Sequence, residues 1–253
     1  MNGKRMCLFW VLVSTLSMGS VFAYTPTLSE LAYLAGDCYN AYGGNVPVDR
    51  GYSVVNSRTK ASGFQGVAYR KEDLLVIAFR GTVLTVSNNI LADGGLIFNS
   101  SNSLVAALQG AYGTKTAGQA ALDNTIEDAM NFYTGTLRMF QPGVIDNVVV
   151  VGHSLGGYLA QLVGSVNNVN TFTFNAPGGE NYKPNRVGNL TLRYNPQANN
   201  KITNYVANGL ITAIPFGTHI GRRVDIFGWT HSMDNVYRTI RADPQMVGPV
   251  TLR

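Results

Sequence analysis

The sequence predicts an α/β chain with a central, mostly parallel sheet and helices on both faces. Three observations carry this. The run Val148-Val149-Val150-Val151 reads as a buried strand, because β-branched side chains suit a pleated surface covered on both sides. It leads directly into Gly152-His153-Ser154-Leu155-Gly156, and the stretch 157–163 that follows is apolar and compatible with a helix. Around this point strand-like and helix-like segments alternate, as they do when parallel strands are joined by crossover helices.

The N-terminal half supplies the edge of that sheet. Thr27, Leu28, Ser29 and Glu30 open a helix read over 28–42, ending near Gly43-Gly44. Residues 52–56 and 64–69 read as strands that form an antiparallel hairpin at one edge. The stretch Arg70-Lys71-Glu72-Asp73 is a polar turn, and 74–79 (Leu-Leu-Val-Ile-Ala-Phe) is a buried strand. The segment 83–119 is long, mixed in polarity and rich in Asn, Ser and Gly; segments of that length often carry function, as lids for example. Over 121–140, Leu122, Ile126, Ala129, Met130, Phe132, Tyr133 and Leu137 recur at three-to-four spacing, a helical pattern. Strands are expected at 170–175, 201–206 and 223–228.

With 253 residues, 45% of them hydrophobic and 13% charged, the chain can bury a sizeable core in one domain. No run of like charges suggests a nucleic-acid arm. Lys4 and Arg5, then the apolar stretch 7–13, then Val21-Phe22-Ala23 have the form of an export signal, residues 1–23, with cleavage after Ala23. The apolar stretch is short for a membrane span. Of 19 basic residues, losing Lys4 and Arg5 leaves 17 against 14 acidic ones, a net charge of +3. Cys7 leaves with the signal, so Cys38 has no intramolecular partner and reads as a small buried hydrophobe. Three histidines and one cysteine do not suggest a metal site.

The chemistry centres on Ser154. G-x-S-x-G between strand and helix is a nucleophile elbow: it lifts the serine Oγ out of the sheet and leaves the Leu155 N–H at a helix N-terminus, facing a developing oxyanion. The alternative is a Gly-rich turn with Ser154 as a helix N-cap. A serine hydroxyl needs a base. His153 is adjacent, but its side chain should point away from Oγ and support the turn. Chain order favours His231, in the loop after the expected last strand, over His219. A second oxyanion donor is expected after an earlier strand, and Phe79-Arg80-Gly81-Thr82 offers the Thr82 N–H. Asp93 is a candidate brace for that loop or a helix cap, and Arg222-Arg223 reads as a solvated pair rather than a phosphate site.

Ala78-Phe79-Arg80-Gly81-Thr82, Asp93, Gly152–Gly157 and Phe174-Asn175-Ala176-Pro177-Gly178 resemble the class 3 lipases of the α/β-hydrolase fold. His219-Ile220-Gly221 and His231-Ser232-Met233-Asp234-Asn235 resemble a bacterial, secreted branch. The resemblance covers roughly 28–237. It implies an α/β-hydrolase domain over 24–253 and hydrolysis of acyl esters in lipids without a cofactor. It further implies Ser154 as nucleophile, His231 as base, Thr82 and Leu155 as oxyanion hole, and a lid within 83–119. The implied partners are a lipid ester substrate and a membrane or lipid-droplet surface.

The third member departs from the family pattern. An acid is expected after the strand 201–206, in a motif like D-x-(I/V)-(S/T), but Gly209 stands there, with Asn208 beside it. Between Ser154 and His231 the only acids are Glu180 and Asp225. Asn208 is the first candidate to orient the imidazole, through its amide oxygen; Glu180, Asp225 and Asp234 are alternatives, as is no third member. The departure keeps two other readings open: a hydrolase fold that binds lipid or a partner without turnover, and an acyltransferase using the same residues.

Overall fold

The computed structural model describes residues 23–39, 50–81, 117–180, 183–207, 218–228 and 231–253, the side chains of 117–121 excepted. Its helices are α1 (Leu28–Asp37), α2 (Ala117–Leu137), α3 (Leu155–Asn167) and α4 (Met233–Ala242). Its strands are β1 (Ser53–Thr59), β2 (Gln65–Lys71), β3 (Leu74–Phe79), β4 (Asn147–His153), β5 (Asn170–Phe174), β6 (Arg186–Val187), β7 (Leu190–Thr191), β8 (Ile202–Ala207) and β9 (Arg222–Ile226).

Seven strands form one sheet in the order β1-β2-β3-β4-β5-β8-β9. β1, β2 and β3 are antiparallel, as the edge hairpin requires, and the pairs from β3 to β9 are parallel. β6 and β7 make a separate small hairpin. Side-chain alternation sets the layers. Leu75, Ile77 and Phe79 of β3, with Val150 of β4, pack into a core shared with α2 and α3. Leu74, Val76 and Ala78, with Val149 and Val151, face the other way into a core shared with α1 and α4. The four-valine run is therefore covered on both sides, which is why it carries no polar alternation. Helices lie on both faces, and a strand–turn–helix built on Ser154 sits mid-sheet: this is the α/β-hydrolase arrangement.

Local chemistry explains the element ends. Thr27 caps α1 in a capping box: its hydroxyl accepts from Glu30 N at 3.1 Å, and the Glu30 carboxylate accepts from Thr27 N at 2.9 Å. The polar turn after β2 is tighter than expected. Lys71 pairs with Leu74, so only Glu72 and Asp73 turn the chain, Glu72 at φ 55°. The helix α1 stops at Asp37, short of the expected 42, because Tyr39 N closes onto Gly36 O at 3.1 Å and tightens the last turn. α2 likewise ends at Leu137 instead of 140: Met139 N and Phe140 N bond to the carbonyls three residues back. The helix α4 and the β6–β7 hairpin are additions to the elements read from sequence.

The parallel strands end together near Ser154. Asn175, just past β5 at φ 46°, accepts the Ala207 N–H on its side-chain oxygen at 2.7 Å. Its own N–H donates to Tyr205 O at 2.8 Å. The ends of β5 and β8 are thereby clamped at the carboxyl edge of the sheet, where ligands of open α/β sheets bind.

Candidate active site

Ser154 links β4 to α3 with φ 57° and ψ −129°, a conformation that L-residues rarely adopt. Its side chain makes no capping bond, so it is not an ordinary N-cap. The strain is held by neighbours. Ser154 N donates to Phe174 O at 3.1 Å, and Tyr158 N donates back to Ser154 O at 3.1 Å. Glycine is required on both sides of the turn. A Cβ on Gly156 would collide with the Phe79 carbonyl, and one on Gly152 with the Gly156 carbonyl. Leu155 opens α3, so its N–H has no acceptor within the helix.

His231 lies after β9 and just before Ser232, the N-cap of α4. Its Nε2 stands 2.8 Å from Ser154 Oγ. The two residues are 77 apart in sequence, brought together because β4 and the β9–α4 connection both end at the same edge of the sheet. Burial lowers the His231 pKa from 6.5 to about 4. A neutral imidazole accepts the serine O–H and can take its proton when Oγ attacks an electrophile.

His153 does more than support the turn. Its Nε2 lies 2.7 Å from the His231 backbone carbonyl, which only accepts, so this nitrogen carries the hydrogen. Burial, and then the His231 ring 4.8 Å away, lower its pKa to about 3. The ring is therefore neutral, its Nδ1 is bare, and Tyr39 donates its hydroxyl hydrogen to it at 2.8 Å. Tyr39 Oη in turn accepts the Gly81 N–H at 3.0 Å. Gly81 is pressed against the elbow: a Cβ there would stand 2.7 Å from His153 O and 2.9 Å from Ser154 Cβ. The Phe79-Arg80-Gly81 segment thus reaches the serine. Tyr39 was not legible as a site residue; a tyrosine at the end of an amphipathic helix carries no signal of its partner.

Thr82, Asn208, Gly209 and Asp93 lie outside the described residues, as does the whole of 83–116. The acids weighed for the third position are engaged elsewhere. Glu180 pairs with Lys183 at 2.6 Å, Asp225 with Arg223 at 2.7 Å and Asp234 with Arg238 at 2.8 Å, each on an open surface. β9 turns the Asp225 side chain toward its own strand's arginine, and Asp234 sits on the exposed face of α4. Among the described residues no carboxylate bonds to the His231 ring. Arg223 accordingly belongs to an exposed ion pair. His219 donates through Nε2 to Ala176 O at 2.8 Å and makes no contact with Ser154. Gln161 of α3 ties that corner, accepting the Gly179 and Ile220 N–H groups at 3.1 and 3.0 Å. Cys38 is fully buried. Among the described residues no cluster of His, Cys, Asp and Glu is placed to hold a metal ion.

The chain matches no protein-family model and no curated protein. Solved structures similar to it include lipase II from Rhizopus niveus, at 17% identity, covering 81% of each chain, with a TM-score of 0.47. A triacylglycerol lipase from Penicillium expansum shows 14% identity over 89% of each chain and a TM-score of 0.45. Brefeldin A esterase, a bacterial homologue of human hormone-sensitive lipase, shows 14% identity over 86% of this chain and 83% of its own, with a TM-score of 0.34.

Proposed function

We propose that this chain is an exported serine esterase of lipase type, which hydrolyses acyl esters of lipids through an acyl-enzyme. The observation that carries the proposal is the strained Ser154 with its Oγ 2.8 Å from a neutral His231 Nε2. Ser154 Oγ attacks the ester carbonyl carbon while His231 Nε2 takes the hydroxyl proton. The oxyanion that forms is held by the N–H groups of Leu155 and Thr82. When the intermediate collapses, the ester C–O bond breaks and His231 returns the proton to the leaving alcohol. Water then attacks the acyl-serine, His231 again moving the proton, and the carboxylic acid leaves. Asn208 orients the His231 ring through its side-chain oxygen, as an asparagine does in papain-like sites.

The lipid assignment rests on the resemblance of the F-R-G-T and G-H-S-L-G-G segments to class 3 lipases. It is supported by Phe227, which is 81% exposed just past the end of β9, at the carboxyl edge of the sheet, an apolar ring available to a lipid surface. Export with cleavage after Ala23 rests on the sequence pattern of Lys4-Arg5, the apolar stretch 7–13 and Val21-Phe22-Ala23. Tyr24 N donates to Asp73 Oδ1 at 2.8 Å, so cleavage there would convert an amide hydrogen bond into an ammonium–carboxylate pair.

The test is hydrolysis of short- and long-chain p-nitrophenyl esters by the chain from Tyr24 onward, beside Ser154→Ala. Turnover in the parent that is lost in Ser154→Ala supports the esterase, and faster cleavage of long chains supports the lipase. Product analysis with an added alcohol separates hydrolysis from acyl transfer. Gly209, standing in the sequence where the family pattern has an Asp, favours one second reading, a hydrolase fold that binds lipid without turnover. That reading requires retained lipid binding with no ester cleavage and no labelling of Ser154.

A further inference from the structure

Beside Ser154 and His231 lie two polar side chains with no role in bond making or breaking, Tyr39 and His153. They belong to a chain of hydrogen bonds that runs from Gly81 to Ser154 and is closed by packing. Gly81 N–H donates to Tyr39 Oη (3.0 Å), Tyr39 O–H to His153 Nδ1 (2.8 Å), and His153 Nε2–H to the His231 carbonyl (2.7 Å). His231 Nε2 then accepts from Ser154 Oγ–H (2.8 Å), and Gly81 packs against Ser154. The circuit spans the end of α1, the end of β3, the elbow and the connection into α4.

We infer that Tyr39 and His153 are positioning residues that tie the Gly81 segment to the backbone of His231. Base and oxyanion-side loop are thereby set relative to Ser154 by a neutral Tyr–His pair. The inference rests on the reading of Ser154 and His231 as nucleophile and base. Its logic is one of satisfied valence. Tyr39 Oη has one hydrogen and gives it to Nδ1, which keeps the His153 hydrogen on Nε2, the only nitrogen that reaches His231 O. Removing the tyrosine hydroxyl takes this partner from His153 Nδ1 and from the Gly81 N–H and unties the Gly81 segment from the His153 ring, while the His231 carbonyl still holds the hydrogen on Nε2. A carboxylate acting on the His231 ring would orient it from the opposite nitrogen, so the two devices are separate.

The experiment compares Tyr39→Phe, His153→Phe and the double variant with the parent, using p-nitrophenyl butyrate as substrate and Tyr194→Phe as control. Tyr194 donates its hydroxyl too, but to a backbone carbonyl, Pro184 O at 3.0 Å, away from the site. The inference predicts kcat lowered about 10- to 100-fold in Tyr39→Phe with KM within about twofold, the signature of misplaced catalytic groups. It predicts no such split in Tyr194→Phe. The double variant should be no slower than His153→Phe, because both residues act through one chain of bonds. A kcat for Tyr39→Phe within twofold of the parent, or losses that multiply in the double variant, overturns it.

Nitrogen-15 spectra of the three histidines at pH 7 read the same circuit without turnover. His153 should be the Nε2–H tautomer in both the parent and Tyr39→Phe, with its Nδ1 resonance displaced in Tyr39→Phe because that nitrogen no longer accepts the tyrosine hydrogen. An unchanged spectrum overturns the inference. If the parent cleaves no ester in a Ser154-dependent way, the esterase reading falls, and these spectra alone decide the circuit.

Discussion

Ser154 stores backbone strain that no side chain in that position relieves. At φ 57° and ψ −129°, glycine is the residue that fits without cost. Ser154→Gly should therefore raise stability by about 1 kcal/mol in urea unfolding while removing ester cleavage. Gly156→Ala should lower stability instead. Its methyl meets the Phe79 carbonyl, backbone that cannot step aside, so a loss of about 2 kcal/mol or more and loss of activity follow. The two histidines give pH dependences with a definite sign. Burial lowers His231 to about 4, so the acid limb of kcat/KM should fall near pH 4, well below the 6–7 of an exposed imidazole. For stability, both folded pKa values lie below the ordinary 6.5. Above pH 6.5 neither ring binds a proton in either state. As pH falls from 6.5 toward 4 and then 3, the unfolded chain takes up protons that the folded chain refuses, and stability declines. Urea midpoints over this window should decline less steeply in His153→Phe than in the parent.

At the scale of elements, what was legible in the sequence is what depends on local pattern. The valine run, the elbow and the strand 74–79 carried their assignments because β-branched and apolar residues buried on both faces leave no ambiguity of side. The position of His231 followed from chain order in a parallel sheet. What was not legible depends on tertiary contact. Tyr39 leaves a helix that ends early, and its hydroxyl finds a ring 114 residues away. α4 carries Met233, Val236 and Ile240 at helical spacing, a pattern present in the sequence but overshadowed by its many polar residues. This helix is anchored in the same core as α1, one residue beyond the loop that holds His231. Ile240, fully buried there, should cost about 2–4 kcal/mol when truncated to alanine, measured by urea unfolding.

For the whole molecule, export and the exposed Phe227 past the end of β9 are the properties to test. The secreted product should begin at Tyr24 by mass, and Asp73→Asn should lower its Tm by loosening the Tyr24 contact. Phe227→Ser should slow cleavage of an emulsified long-chain triacylglycerol more than that of a soluble short-chain ester, because only the former needs an apolar surface. The central claim is that Ser154 is a nucleophile activated by His231 across 2.8 Å. It is tested most directly by reacting the chain from Tyr24 onward with a fluorophosphonate and locating the adduct by peptide mass. The account predicts a single adduct on Ser154 that is lost in His231→Ala while that variant remains folded. No adduct on the folded parent, or labelling of Ser154 that is undiminished in His231→Ala, would contradict it.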